Sequence, residues 1–244
     1  MPSRSEEHFA PYEFYAIGED GTPTLAGFDM ALAQYIADYL GLELEVVPMD
    51  FDGVLMEVAN GTVDLGMAGL SPDPERADAM EFSDIYYEGG QSFWTVKANA
   101  DKFSDLASAN TPGISVGAQI GSIQMDLAEE NSADTDIIPL VKVTDIIAEL
   151  MSGKLDAAYI ETAVAESYQV NYPDLVKVCD VPYDVEGSSV GVVKGNEALL
   201  AGVNEAIAAA VADGSMDKFV AEANELAAGK TASLVDGEIV ADEK

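Results

Sequence analysis

Phe28, Leu32, Tyr35, Ile36, Tyr39 and Leu40 recur at spacings of three and four, which predicts an amphipathic helix. Asp29 is expected to cap its first N–H groups, and Gly41 stands where a left-handed C-terminal cap belongs. Leu44, Val46 and Val47 follow as a strand. A second helix over 53–59 stops at Asn60-Gly61, and 63–68 is predicted as another strand. Further strands are predicted at 114–118, 137–141, 157–160 and 190–193, with helices between most of them, and two Ala-rich helices at 197–212 and 216–227 close the folded part. The alternation of helix and short apolar strand argues for an α/β fold with largely parallel sheets. After Gly229 the chain turns polar and acidic and is predicted to be a tail.

One segment has an echo. Asn60-Gly61-Thr62-Val63-Asp64-Leu65-Gly66 resembles Ser152-Gly153-Lys154-Leu155-Asp156-Ala157-Ala158: a helix end, a glycine, a polar and an apolar residue, an aspartate and a strand. The separation is far too long for a solenoid repeat. It fits two similar α/β lobes, and it equally fits the helix–Gly–strand junction that any α/β protein contains.

Composition narrows the chemistry. Among 244 residues, 45 are Asp or Glu and 11 are Lys or Arg, a net charge of -34, and Arg4 and Arg76 are the only arginines. Nucleic acid is excluded as a partner because no basic stripe is available to neutralise phosphates, and anionic lipid is excluded for want of clustered cations. A single cysteine, Cys179, and a single histidine, His8, build neither an internal disulfide nor a Cys/His zinc site, and no cofactor is expected. A nucleophilic triad would have to use His8 in a polar N-terminal stretch. At 48% hydrophobic residues the chain buries a real core, as one large domain or two of about 100 residues. No run approaches the roughly 20 apolar residues of a membrane span, and 1–7 lacks an apolar signal region. Taken literally this is a cytoplasmic chain; taken as a processed chain it says nothing of location.

The predicted strand at 63–68 runs into Gly69-Leu70-Ser71-Pro72-Asp73-Pro74-Glu75-Arg76. Ligands of open α/β sheets sit outside the carboxyl ends of strands. Asp73 as N-cap and Pro74 as first residue predict a helix start there, and a Ser hydroxyl and an Arg fork beside it make a receptor for a carboxylate or phosphate. In a chain almost devoid of arginine, Arg76 is expected to do what lysine cannot, bidentate recognition of a carboxylate. Glu161, at the end of the predicted strand 157–160, offers a carboxylate to an ammonium or simply complements a helix dipole. Gly117-Ala118-Gln119-Ile120-Gly121-Ser122 supplies a further helix start with backbone N–H groups. Together these suggest a zwitterionic ligand.

Phe9-Ala10-Pro11-Tyr12-Glu13-Phe14, Leu25-Ala26-Gly27-Phe28-Asp29, Pro48-Met49-Asp50-Phe51-Asp52-Gly53, Val63-Asp64-Leu65, Pro74-Glu75-Arg76 and Phe82-Ser83-Asp84-Ile85-Tyr86-Tyr87 stand in characteristic order and spacing. They resemble the family 3 extracellular solute-binding proteins, the polar amino-acid receptors of ABC importers, and are most similar to the glutamine- and lysine/arginine/ornithine-binding types. The likeness covers roughly residues 9–227 and is looser in the second half, at Val116-Gly117, Gly121-Ser122 and Leu155-Asp156-Ala157-Ala158.

The resemblance implies a two-lobe, type II periplasmic-binding-protein-like α/β fold that closes on a polar L-amino acid, basic or glutamine-like. Lobe 1 would comprise 1–90 and 186–229, lobe 2 would comprise 91–185, and 230–244 would be the tail. Hinge segments are implied near 86–90 and 186–190. Phe9 and Phe51 would wall the ligand side chain, and the Gly69 carbonyl with Ser71 would accept the α-ammonium. Arg76 with the N–H groups of Ser71 and Ser122 would clamp the α-carboxylate. Glu161 stands where the family usually has an ammonium-pairing Asp, and Ala68 and Gln119 complete the implied contacts. The partners implied are the permease subunits of an importer, with the receptor a monomer, extracytoplasmic, its signal or anchor segment absent from this chain. No catalytic or metal-binding residue is implied, although the same fold hosts dehydratase-type enzymes and sensory domains, which remain alternatives. Two features stand apart. The family enters Phe9 from a strand of alternating apolar residues that 1–8 does not contain, and Glu6 falls where relatives binding cationic side chains often carry an acid. The strong negative charge would disfavour anionic ligands and mildly favour a cation, within a screening length of about 8–10 Å.

Overall fold

Residues 2–5, 8–184, 187–235 and 238–241 are described by the computed structural model. Glu6 and Glu186, named above, lie outside them. In chain order the elements are β1 (Pro2–Ser5), β2 (His8–Phe9), β3 (Glu13–Ile17), β4 (Pro23–Ala26), α1 (Phe28–Leu40), β5 (Glu45–Pro48), α2 (Phe51–Ala59), β6 (Leu65–Gly66) and β7 (Met80–Phe82). Then follow β8 (Gln91–Val96), α3 (Leu106–Ala109), β9 (Ser115–Gln119), α4 (Ile123–Asn131), β10 (Asp136–Leu140), α5 (Val143–Ser152), β11 (Ala157–Glu161), α6 (Thr162–Asn171) and β12 (Leu175–Val181). The chain ends with β13 (Gly191–Val193), α7 (Glu197–Ala212), α8 (Ser215–Ala227), β14 (Thr231–Val235) and β15 (Glu238–Ala241). It divides into two compact units, Met1–Glu88 with Gly187–Lys244, and Gly89–Glu186.

The first unit carries a sheet in the order β5-β1-β6-β13-β7, in which β5, β1 and β6 run parallel and β13 is antiparallel to both its neighbours. A second sheet runs β15-β14-β3-β2, with β4 pairing β3. The face of α1 that carries Phe28, Leu32, Ala33, Ile36 and Ala37 is buried, and the helix packs on α7 and α8. Gly41, at φ 67°, ends α1 in the left-handed cap expected of it. Where the chain leaves this unit and re-enters it, Tyr87 and Ser188 form an antiparallel bridge, with the Ser188 N–H donating to the Tyr87 carbonyl at 2.8 Å.

The second unit repeats the plan as β10-β9-β11-β8-β12: three parallel strands, then two antiparallel steps. Phe93, Phe103, Val116, Leu127 and Tyr159 are at the centre of its core. Trp94 is fully buried, its indole N–H donating to Ser92 Oγ at 2.8 Å.

Four expectations need correction. The sheets are mixed and not largely parallel: most strand pairings are antiparallel, and the sheet of β15, β14, β3, β2 and β4 is wholly so, because hairpins and the returning strands join neighbours in opposite directions. Pro2–Ser5 is a strand, in parallel register with Glu45–Pro48 on one side and Leu65–Gly66 on the other, although its sequence has no apolar alternation. Its neighbours impose the extended form. The stretch beyond Gly229 is not a tail: β14 pairs with β3 through Thr231 and Ala232, the latter buried, and with β15 through four further residue pairs. The open edge of β3 supplies the ladder that a short polar segment lacks by itself. Asp29 does not cap α1. The cap position is Gly27, at φ 122°, where an added Cβ would lie 2.0 Å from the Tyr12 carbonyl oxygen. Only a residue without a side chain fits so close an approach, and the Asp29 carboxylate turns into the interior instead.

Candidate functional site

In the first unit β6 ends at Gly66, and the buried Met67 and Ala68 lead to Gly69. Gly69 has φ 57°, and an added Cβ would meet Phe9 at 2.9 Å and Tyr12 at 3.2 Å, so both the backbone angle and the close aromatic approach call for glycine. Its N–H donates to Asp29 Oδ2 at 3.2 Å. Ser189 secures the next residue through its N–H and hydroxyl, both donating to the Leu70 carbonyl, at 2.7 and 3.1 Å.

Ser71 is buried, and its carbonyl accepts from the Asp73 N–H at 2.8 Å and from Arg76 Nη1 at 3.4 Å. Asp73 caps as expected, its carboxylate accepting from the Glu75 N–H at 2.8 Å, and Pro74 opens the turn. That turn is a single 3-10 turn, Pro74–Arg76, and not the start of an α-helix, because the chain passes on at once to β7. No macrodipole builds up in so short an element, and the positive charge at this place is the guanidinium itself. The Arg76 Cζ lies 5.7 Å from the centroid of the Phe51 ring, a cation–π contact. Phe51 is the first residue of α2 and packs with Ala68 and Leu70, while Phe9 is buried with its ring 5.2 Å from that of Tyr12. The first unit therefore gathers Phe9, Phe51, Ala68, Gly69, Ser71 and Arg76 around one strand end, with Phe51 and Arg76, expected to play separate parts, in contact.

In the second unit β9 runs through the buried Gln119 to Gly121, at φ 73°, and to Ser122, the N-cap of α4. The Ser122 hydroxyl donates to the Gln119 carbonyl at 2.7 Å and accepts from the Met125 N–H at 3.4 Å. The Ser122 N–H, expected to face a carboxylate, makes a long 3.4 Å bond to the same Gln119 carbonyl. The Gln119 amide donates to the Val141 carbonyl at 3.0 Å.

Glu161 ends β11 and is the N-cap of α6. It is 4% exposed, its Oε2 accepting from the Val164 N–H at 2.8 Å and its Oε1 from the Gly90 N–H at 3.4 Å. The helix N-terminus is a favourable place for a carboxylate, which accepts both backbone N–H groups. The choice left open from sequence, ammonium partner or helix cap, resolves first into a cap, with the second role compatible with it.

Some buried polar groups escaped the sequence reading. Gln124 donates to Gln91 at 2.7 Å, Ser92 and Thr162 share a hydroxyl hydrogen bond of 2.9 Å, and Tyr86 donates to Asp29 Oδ1 at 2.7 Å. Asp29 was misread because an Asp beside a helix start has the composition of a cap, and only the Gly27 geometry sends it inward. Burial raises its pKa to about 6 against the opposing effects of hydrogen bonds from Tyr86 and Gly69.

Comparison with known proteins follows the same pattern. The sequence profile of the bacterial extracellular solute-binding proteins, family 3, matches residues 4–223. The arginine-binding extracellular protein ArtP of Bacillus subtilis is 31% identical over 216 residues, 86% of this chain and 80% of that protein. The crystal structure of the amino acid ABC transporter substrate-binding protein AbpA from Streptococcus pneumoniae, bound to L-arginine, superposes with a TM-score of 0.89 at 30% identity, over 94% of this chain and 96% of that one. A more distant relative, the cyclohexadienyl dehydratase of Pseudomonas aeruginosa, is 27% identical over 153 residues, 63% of this chain and 57% of that protein. The fold is the two-lobe, type II periplasmic-binding-protein fold of these neighbours. No helix among the described residues is long and apolar enough to cross a membrane. The chain belongs to the bacterial extracellular solute-binding proteins, family 3.

Proposed function

We propose that this protein is the extracytoplasmic substrate-binding component of an amino-acid ABC importer, that its ligand is a basic L-amino acid, arginine foremost, and that it delivers this ligand as a monomer to the permease subunits. The single observation that carries the reading is Arg76, a half-buried guanidinium fixed over Phe51 beside the Ser71 carbonyl in a chain of net charge -34. A cation kept in so acidic a molecule at a strand end suits one task, pairing with a ligand carboxylate. The Gly69 carbonyl and Ser71 then accept the α-ammonium in the first unit, with Phe9 and Phe51 against the ligand side chain. In the second unit, Ser122 and Gln119 supply polar groups and Glu161 supplies negative charge for a cationic ligand. The arginine-bound neighbour AbpA and the arginine-binding ArtP support the choice of ligand.

Titration calorimetry with arginine, lysine, histidine, glutamine, glutamate and aspartate tests the reading. Arginine is expected to bind most tightly and to be recovered chemically unchanged. Preference for glutamate or aspartate overturns the ligand class, and turnover of the ligand would replace the receptor with an enzyme.

A further inference from the structure

The first strand of the second unit carries a chain of buried polar groups that the ligand reading does not use. Ser92 lies within β8 and is fully buried, and Trp94, two residues on, shares its face of the strand. A serine hydroxyl so placed has lost its water and needs partners inside the protein. It has two. The Trp94 indole N–H, a donor and nothing else, gives to Ser92 Oγ at 2.8 Å, and Thr162 Oγ1 lies 2.9 Å from the same atom. The indole sets the polarity of the second bond. Among the described residues the Ser92 proton finds an acceptor only at Thr162, so Ser92 donates there while it accepts from Trp94.

Thr162 is the first residue of α6 and directly follows Glu161. Its N–H, which has no acceptor within its own helix at that position, donates to the Gly90 carbonyl at 2.8 Å. The ladder pairs Gln91 with Glu161 and Ser92 with Ile160, so Thr162 carries the pairing of β8 and β11 one step beyond the strand end. Gly90 in turn reaches the carboxylate, its N–H donating to Glu161 Oε1 at 3.4 Å. An added Cβ at Gly90 would stand 3.2 Å from Thr162 Oγ1, so glycine keeps the way open for the hydroxyl to pass to Ser92.

A bond of 3.4 Å is too long to hold a carboxylate by itself. What keeps Gly90 within reach of Glu161 is the pair of shorter bonds that Thr162 makes, by its N–H to Gly90 and by its hydroxyl to Ser92, the latter anchored on the buried Trp94 ring. The other carboxylate oxygen, Oε2, accepts from the Val164 N–H at 2.8 Å, a bond of α6 itself. The helix therefore holds one oxygen of Glu161, and the clasp to β8 governs the other.

We propose that Thr162 is a positioning residue for Glu161: clasped to Ser92, and through it to Trp94, it fixes the corner between β11 and α6 so that the carboxylate is aimed for a cationic ligand. The inference rests on the reading above, in which Glu161 supplies negative charge to that ligand. Thr162 acts through Gly90, whose carbonyl it binds and whose N–H meets the carboxylate.

The test is arginine affinity by calorimetry for the unaltered protein, Thr162→Val and Thr162→Ser, each repeated in a Glu161→Gln background, together with amide hydrogen exchange of the ligand-free proteins. Thr162→Val keeps the shape and loses the hydroxyl, and it is expected to bind about fivefold more weakly, the worth of one hydrogen bond. Thr162→Ser restores the hydroxyl and is expected to bind as the unaltered protein does. In the Glu161→Gln background the valine is expected to cost nothing further, because its effect passes through the carboxylate. The Gly90 and Val164 N–H groups, the two donors to Glu161, separate the parts: Gly90 is expected to exchange about fivefold faster in Thr162→Val than in Thr162→Ser, with Val164 unchanged. A valine loss of the same size in the Glu161→Gln background reflects a general disturbance of the unit and overturns the inference, as does a serine variant that binds as weakly as the valine one. Absence of arginine binding by the unaltered protein overturns the functional reading instead. The exchange rates need no ligand and judge the clasp even then: equal rates at Gly90 in the two variants remove it.

Discussion

The strand ends after β6 and β11 occupy the same place in two sheets of the same order, yet they finish differently. After β6 the chain wanders through Met67 to Ser71 and makes one 3-10 turn before β7, so its charged group, Arg76, hangs on a loop. After β11 the chain enters α6 at once, and Glu161 is both the last strand residue and the helix cap. In the first unit the charge is therefore separable from the architecture. In the second it is built into it, because removing the carboxylate strips the acceptor from two backbone N–H groups. Duplicated topology fixes where a charge can be presented and leaves open whether folding depends on it.

Mutation can break this contrast. Glu161→Ala is expected to have the largest effect, a loss of stability of about 2–3 kcal/mol from the lost cap and the buried N–H groups left behind, together with weaker arginine binding. Chemical denaturation would measure it, and a midpoint equal to that of the unaltered protein would mean that Glu161 is as dispensable to the fold as a loop residue. Arg76→Lys comes next: about 1.5 kcal/mol in binding, roughly tenfold, with the denaturation midpoint unmoved, because a lysine keeps the charge but not the planar fork. A midpoint that fell with the affinity would erase the difference between the two junctions. Ser122→Ala is the smallest, about 1 kcal/mol of stability from loss of the α4 cap, and it sharpens the comparison by showing what a cap in the second unit is worth without a charge.

Much of this was legible in the sequence because the signals were local. The stripe from Phe28 to Leu40, the glycine at 41, the Asp73 cap and the Glu197–Ala212 helix all appear as read, since each depends on residues within a turn or two, whereas the helix expected to start at Pro74 is a single 3-10 turn. The echo at Asn60 and Ser152 also resolves, because Leu65-Gly66 and Ala157-Ala158 occupy matching third positions in the two sheets, β6 beside β1 and β11 beside β9. Illegible features had distant causes. Pro2–Ser5 becomes a strand because two other strands flank it, and Thr231–Val235 because β3 has an edge to offer. Among the candidate site residues, the motifs placed Arg76, Ser122 and Glu161 at their strand ends. They left open which role Glu161 takes first, and they could not convey that Asp29 would turn inward to meet Tyr86.

The clasp of Tyr87 on Ser188 has a bearing on how the molecule is made. On a growing chain, every strand of the second unit exists once Val181 has been synthesised, and domains commonly fold as units in the order of their appearance. The first unit cannot finish, because β13 must slip between β6 and β7, and β14 must reach β3, before either sheet is whole. The first unit is thus the last to close, and its unpaired edges at β6, β7 and β3 wait through the synthesis of the second. Any factor that guards the nascent protein has most to protect there, in the half that also carries Arg76.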